Sequence, residues 1–131
     1  MKINHIGFAV TEVPATVELL ETYFDMERAP QTPVSSKMAF LLDKNGSLIT
    51  FFKADDAFYP QIFHIGFMQE TVEQVKELHE KITAGGYNPE EIREEHGRLT
   101  FYFMAPGGFM IEVNSLIEAK RPELKDKVNS N

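Results

Sequence analysis

The stretch FHIGF at residues 63–67 repeats, almost letter for letter, the NHIGF at residues 4–8. In both copies Ile and Phe alternate with His and Gly, the period-two pattern of a half-buried strand. His5 and Gly7 then share one face, as do His64 and Gly66, and each histidine points away from its strand's apolar side. The similarity runs on. HIGFAVTEVPATVELLETYF follows the first copy and HIGFMQETVEQVKELHEKI the second, each reading strand, polar break, helix. In the second helix Thr71 and Gln74 form a capping box, Val72, Val75, Leu78 and Ile82 make the apolar stripe, and Gly85-Gly86 supplies the stop. In the first, Thr11 is the expected cap, Pro14 suits a first turn, and Val17, Leu20 and Phe24 make the stripe.

The two halves also close alike. MAFLLDKNGSLITFF (38–52) reads strand, tight turn, strand, with Asn45-Gly46 as the hairpin signal; LTFYFMAPGGFMIEV (99–113) does the same around Gly107-Gly108. Aligning Gly46 with Gly108 sets Thr50 against Glu112 and Phe40 against Tyr102. One further strand is expected in each of 28–37 and 87–96. The fold class is therefore α+β, built from two β-α-β-β-β modules at about 1–53 and 61–115, with a linker at 54–60. The whole chain reads as one domain. The polar tail at 116–131 reads as a short helix or a loose end, its last residues disordered.

The net charge of −7, with no basic stripe, argues against nucleic acid and anionic membrane as partners. There is no cysteine, hence neither a disulfide frame nor a thiolate metal site. The N-terminus has no signal-peptide core, and no apolar run approaches the roughly 18 residues of a membrane span, so a cytoplasmic protein is expected.

Two such modules, each opening on an HIGF-type strand and the second closing APGGFMIEV, resemble the vicinal oxygen chelate superfamily of glyoxalase I, extradiol dioxygenases and the fosfomycin and bleomycin resistance proteins. The resemblance covers about residues 1–115. It implies a glyoxalase-like partial barrel and metal ligands on the first and last strands of each half. Carried over, those places are His5, Thr50, His64 and Glu112. Three of them, His5, His64 and Glu112, suit a metal; the neutral Thr50 hydroxyl is a poor ligand. Two His and one Glu are more like the extradiol dioxygenases and fosfomycin enzymes than glyoxalase I. Phe101, Tyr102, Ala105, Pro106, Gly108 and Glu112 follow the extradiol closing pattern, although His96 stands too near the strand. The Lys- and Ser-bearing phosphonate loop of the fosfomycin enzymes is missing from REEHGRLTF.

The implied cofactor is a divalent metal ion, Fe(II) or Mn(II) first, Zn(II) or Ni(II) next, bound facially with open positions. The implied substrate is a small molecule that chelates through neighbouring oxygens. Relatives commonly pair, so a homodimer is expected. For the histidines, the bland alternative is a satisfied core imidazole. Tyr102 and His96 are the candidate catalytic residues, Tyr102 to orient or protonate an oxyanion and His96 as acid or base; each also reads as an ordinary strand or hairpin residue. His79 is expected to face solvent. Arg93, Arg98 and Arg121 are possible anion contacts, and Phe51, Phe52, Phe58 and Tyr59 a possible apolar wall. The expected apolar positions on the helix side of the sheets are Ile6, Phe8, Ile65, Phe67, Ile111 and Val113. A sequestering protein without chemistry is the alternative function.

Overall fold

The structure, a computed structural model, describes residues 1–117. The expectations for the tail beyond them lie outside the described residues. The strands are β1 (His5–Val10), β2 (Glu27–Arg28), β3 (Met38–Leu42), β4 (Leu48–Lys53), β5 (His64–Met68), β6 (Arg93–Glu95), β7 (Arg98–Met104) and β8 (Met110–Leu116). The helices are α1 (Val13–Tyr23) and α2 (Val72–Ala84). Each half thus has the β-α-β-β-β order expected of it. The strands form two open four-stranded sheets, ordered β1-β4-β3-β2 and β5-β8-β7-β6. The further strand expected in each of 28–37 and 87–96 is short. β2 has two residues and begins at Glu27, and β6 has three.

By contact the chain separates into two compact units. One comprises Met1–Ile65 together with Phe103–Ile111; the other comprises Gly66–Tyr102 and the described residues from Glu112 on. The tip of the β7–β8 hairpin is therefore counted with the first half of the chain, a grouping that the sequence boundaries did not anticipate.

In the first unit β1 runs parallel to β4, with Gly7 opposite Thr50 and Phe8 opposite Phe51. A parallel pair needs a crossover, which α1 and the β3 hairpin supply. Val13, Val17, Leu19 and Leu20 bury the inner face of α1 against β3 and β4. Thr11 is not its cap. The N-cap is Glu12, with no side-chain cap bond, while the Thr11 N–H donates to the Gly107 carbonyl at 2.9 Å. Pro14 sits in the first turn as expected.

Phe8 is the hub of this unit. Its ring meets Phe51 at 4.8 Å, Phe109 at 5.1 Å, Phe63 at 6.0 Å and Tyr59 at 6.1 Å, all edge to face. Rings set this way gain from their quadrupoles beyond the area they bury. Linker and hairpin tip are thereby fastened to β1. Tyr59 also closes part of the β1 edge. Its hydroxyl donates to the Ala9 carbonyl at 2.8 Å and accepts from the Ala9 N–H at 2.9 Å, as a neighbouring strand would. Tyr59 thus has a structural task on β1. Ile6 does not pack inward as expected. It is 57% exposed, because the covered part of β1 begins only at Phe8.

In the second unit α2 starts with the predicted capping box. Gln74 N–H donates to Thr71 Oγ1 at 3.2 Å, and Thr71 N–H to Gln74 Oε1 at 3.1 Å. Val75, Leu78 and Ile82 are buried, with Phe101 and Val113 completing the core of this unit. His79 is not a solvent-facing residue. It is half-buried, its Nε2 meets the Glu90 carbonyl at 2.9 Å, and its ring stands edge-on to Phe101 at 4.9 Å.

Candidate functional site

The glycine of each HIGF word makes room for one side chain on the closing strand. In the first unit a Cβ on Gly7 would stand 2.6 Å from Thr50 Oγ1 and 3.7 Å from the Phe52 ring. Thr50 is opposite Phe40 on β3 and is 95% buried, with 5% of its surface left to solvent. In the second unit a Cβ on Gly66 would stand 3.4 Å from Glu112 Oε2. Gly66, Glu112 and Tyr102 thus repeat the places of Gly7, Thr50 and Phe40, as the alignment of the two hairpins predicts. Strand alternation puts His5 on the Gly7 face of β1 and His64 on the Gly66 face of β5.

What fills the two sets of places differs. In the second unit the side chains form a hydrogen-bonded chain. The Tyr102 hydroxyl donates to Glu112 Oε1 in a short bond. The other oxygen, Oε2, accepts from Asn114 Nδ2 at 2.6 Å. Asn114 Oδ1 in turn accepts from the Arg98 guanidinium at 3.0 Å. Arg93 lies 5.9 Å from the Tyr102 ring centre and pairs with Glu95 at 3.4 Å. The hydrogen bond to Glu112 pushes the Tyr102 phenol up from its ordinary value of 10.0 to about 12, aided by burial and by the negative charges of Glu112 and Glu95 and opposed by Arg93. Tyr102 is therefore a fixed proton donor at neutral pH rather than a base.

The sign of the pH effect follows. A phenol whose pKa is raised by folding contributes stability in full below its unfolded value near 10, and loses it as pH climbs through about 12. The phenolate absorbance that distinguishes wild type from Tyr102→Phe should accordingly appear near pH 12. In a Glu112→Gln background it should move back toward 10. An unchanged midpoint after loss of the carboxylate would remove Glu112 as the cause.

Both ligand-type histidines are exposed. His64 Nδ1 lies 2.8 Å from the Ile62 carbonyl. A carbonyl only accepts, so Nδ1 carries a hydrogen here, and Nε2 is the ring nitrogen that a metal would take. His5 Nδ1 meets Asn4 Oδ1 at 2.7 Å, with the same consequence. His96, the other catalytic candidate, lies in a turn. It occupies the two-residue β6–β7 turn with Gly97, at φ 51° and 75°, the left-handed pair that such hairpins require. Among the described residues no three His, Asp or Glu side chains are grouped to hold an ion. Arg98, suggested only as an anion contact, turns out to bind Asn114. Asn114 is a residue that the sequence reading did not single out; its spacing of two residues from Glu112 on a strand was the signal that could have done so.

Comparison with known proteins decides the family. The family model described as Glyoxalase/Bleomycin resistance protein/Dioxygenase superfamily matches residues 2–113. The chain belongs to this superfamily. A solved structure of a possible glyoxalase from Bacillus cereus is 36% identical, covers 86% of this chain and 97% of its own, and superimposes with a TM-score of 0.77. The fosfomycin resistance protein FosX from Listeria monocytogenes is 23% identical, covers 93% of this chain and 98% of its own, and gives a TM-score of 0.76. A point variant of that Listeria protein, complexed with Mn(II) and 1S,2S-dihydroxypropylphosphonic acid, gives 23%, 95%, 97% and 0.74. At these identities the FosX likeness speaks for the glyoxalase-like fold alone. No curated protein sequence matches the chain. Among the described residues no helix is long and apolar enough to cross a membrane.

Proposed function

We propose that this superfamily member is a metal-dependent enzyme of the glyoxalase/extradiol dioxygenase type, acting in the cytoplasm on a small substrate that chelates through neighbouring oxygens. One observation carries the reading. Glu112 has a donor on each carboxylate oxygen and a glycine beside it, while the equivalent place in the other half holds only Thr50 against Phe40. A carboxylate so held keeps one orientation, which is what a ligand needs. By residue type His5, His64 and Glu112 suit a divalent cation, which the histidines would take through Nε2 and Glu112 through a carboxylate oxygen; the described residues do not group the three around one point. Fe(II) or Mn(II) suits two imidazoles and one carboxylate best. Such a cation supplies Lewis acidity and a template for two substrate oxygens.

The protein's own groups do the rest. Tyr102 holds its proton at Oη and restrains Glu112 Oε1. Phe40 and Phe52, edge to face at 6.4 Å on the Thr50 side of the first sheet, offer an apolar surface, with Phe52 43% exposed. Metal analysis of anaerobically purified protein, followed by oxygen uptake with catechols, tests the reading. Bound metal with catechol-dependent uptake supports the dioxygenase form. Metal without uptake shifts the reading to a lyase or isomerase. A protein that neither carries nor acquires metal is instead a sequestering module of the bleomycin-resistance kind.

Thr50 is read as a non-ligand. Thr50→Glu, beside a glycine as Glu112 is, should add a fourth protein ligand and tighten Mn(II), an effect read by calorimetric titration. Unchanged affinity would show that this place does not face the ion.

A homodimer belongs to the same reading. β1 and β5 are edge strands, and Ile3, Ile6 and Met68 on or beside them are 83%, 57% and 72% exposed. Such edges and apolar side chains favour cover by a second copy. Light scattering at micromolar concentration should return the mass of two chains; a single-chain mass removes the proposal.

A further inference from the structure

We infer that Arg98 and Asn114 form a positioning device for Glu112, in which Arg98 sets the orientation of the Asn114 amide and Asn114 sets the carboxylate. The inference rests on the metal-site reading above. An amide has one accepting and two donating ends, and its chain can place either end toward Glu112. Facing the carboxylate with its oxygen would set two acceptors against each other. The Arg98 guanidinium, which can only donate, occupies Oδ1 at 3.0 Å and thereby leaves Nδ2 to reach Oε2 at 2.6 Å. Asn114 is 93% buried, with 7% of its surface exposed, so water cannot readily replace either bond. The result is a one-directional chain of donors from a permanent cation to Oε2, with Tyr102 closing the other oxygen.

The first half of the molecule is an internal control. Under the same alignment of hairpins, Glu112, Tyr102, Asn114 and Arg98 correspond to Thr50, Phe40, Phe52 and Ser36. Phe52 and Phe40 make an aromatic contact there and no polar chain. The β-α-β-β-β unit therefore forms without an amide or a guanidinium at these places. The chain of donors occurs where the carboxylate occurs, which ties it to Glu112 rather than to the fold.

The test uses Mn(II) alone as probe, with affinity and apo melting temperature measured on the full-length protein. Asn114→Leu keeps the volume and removes both bonds. Arg98→Met keeps much of the aliphatic stem and removes the charge. Each should weaken Mn(II) roughly 10–100-fold, the usual consequence of losing a partner that orients a ligand. Because Arg98 acts through Asn114, the double variant should be no weaker than Asn114→Leu alone, and Arg98→Lys should restore part of the loss. Additive losses, or lowered melting temperature with unchanged Mn(II) affinity, would overturn the inference by making the pair structural. Should Asn114→Leu fail to fold, Arg98→Met and Arg98→Lys decide alone. Glu112→Gln separates the two layers of argument. If it abolishes Mn(II) binding while Arg98→Met does not affect it, the device fails and the metal site stands. If Glu112→Gln leaves binding intact, the metal-site reading itself has failed.

Discussion

Glu112→Gln should erase the protein's response to divalent metal while leaving its fold intact. Gln keeps the shape and still has partners: its amide N–H₂ can donate to the Tyr102 oxygen, and its carbonyl can accept from Asn114 Nδ2, the two groups that now hold the carboxylate. What disappears is the single negative charge among His5, His64 and Glu112. At metal near one hundred times the wild-type dissociation constant, binding to the native state alone adds about 2.7 kcal/mol of stability. Wild type should therefore melt several degrees higher with Mn(II) than without, and Glu112→Gln should show no such rise and no turnover. Equal responses in both proteins, or none in either, would favour the sequestering module.

The second large effect is expected far from any ligand, at Gly107. A Cβ there would stand 2.3 Å from Thr16 Oγ1 and 2.9 Å from Val10 Cβ, both on residues with no exposed surface. Thr16 has little freedom to yield, since its hydroxyl donates to the Glu12 carbonyl at 2.6 Å. Val10 is held in β1, and the Gly107 carbonyl itself binds the Thr11 N–H. Gly107→Ala should therefore cost about 2–3 kcal/mol through overpacking and lower the melting temperature by roughly 6–12 °C. Gly107→Ala combined with Thr16→Ala should recover only part of this, because the Val10 contact remains. A melting curve unchanged by Gly107→Ala would show that the hairpin tip does not pack as closely on α1 and β1 as described.

Most of the architecture was readable because it depends on local chemistry. The capping box of Thr71 and Gln74 formed as expected, since its partners lie three residues apart. The Asn45-Gly46 and Gly107-Gly108 turns fell where the strands had to reverse. The alignment of those turns placed Phe40 opposite Thr50, and it put Tyr102 in reach of Glu112. Thr11 was misread because a cap residue is identified by its neighbours in sequence, whereas its N–H is satisfied by Gly107, nearly a hundred residues away. Ile6 was misread because alternation tells which face a side chain takes, and says nothing of where the covering helix stops. His79 looked like a residue of a polar helix face until Glu90 and Phe101 were found against it.

By itself, the sequence determined the duplicated β-α-β-β-β plan and the family resemblance, and it named the candidate metal ligands, because period, turn chemistry and residue type are all properties of short stretches. The tertiary structure alone decided that the two glycines of the repeated word face Thr50 and Glu112, that Phe8 gathers linker and hairpin tip into one aromatic cluster, and that Arg98 and Asn114 stand behind the carboxylate. Those facts depend on close approaches between residues distant in the chain. A side chain's partner at 3 Å is set by how strands register and helices pack, and no local pattern of letters carries that distance.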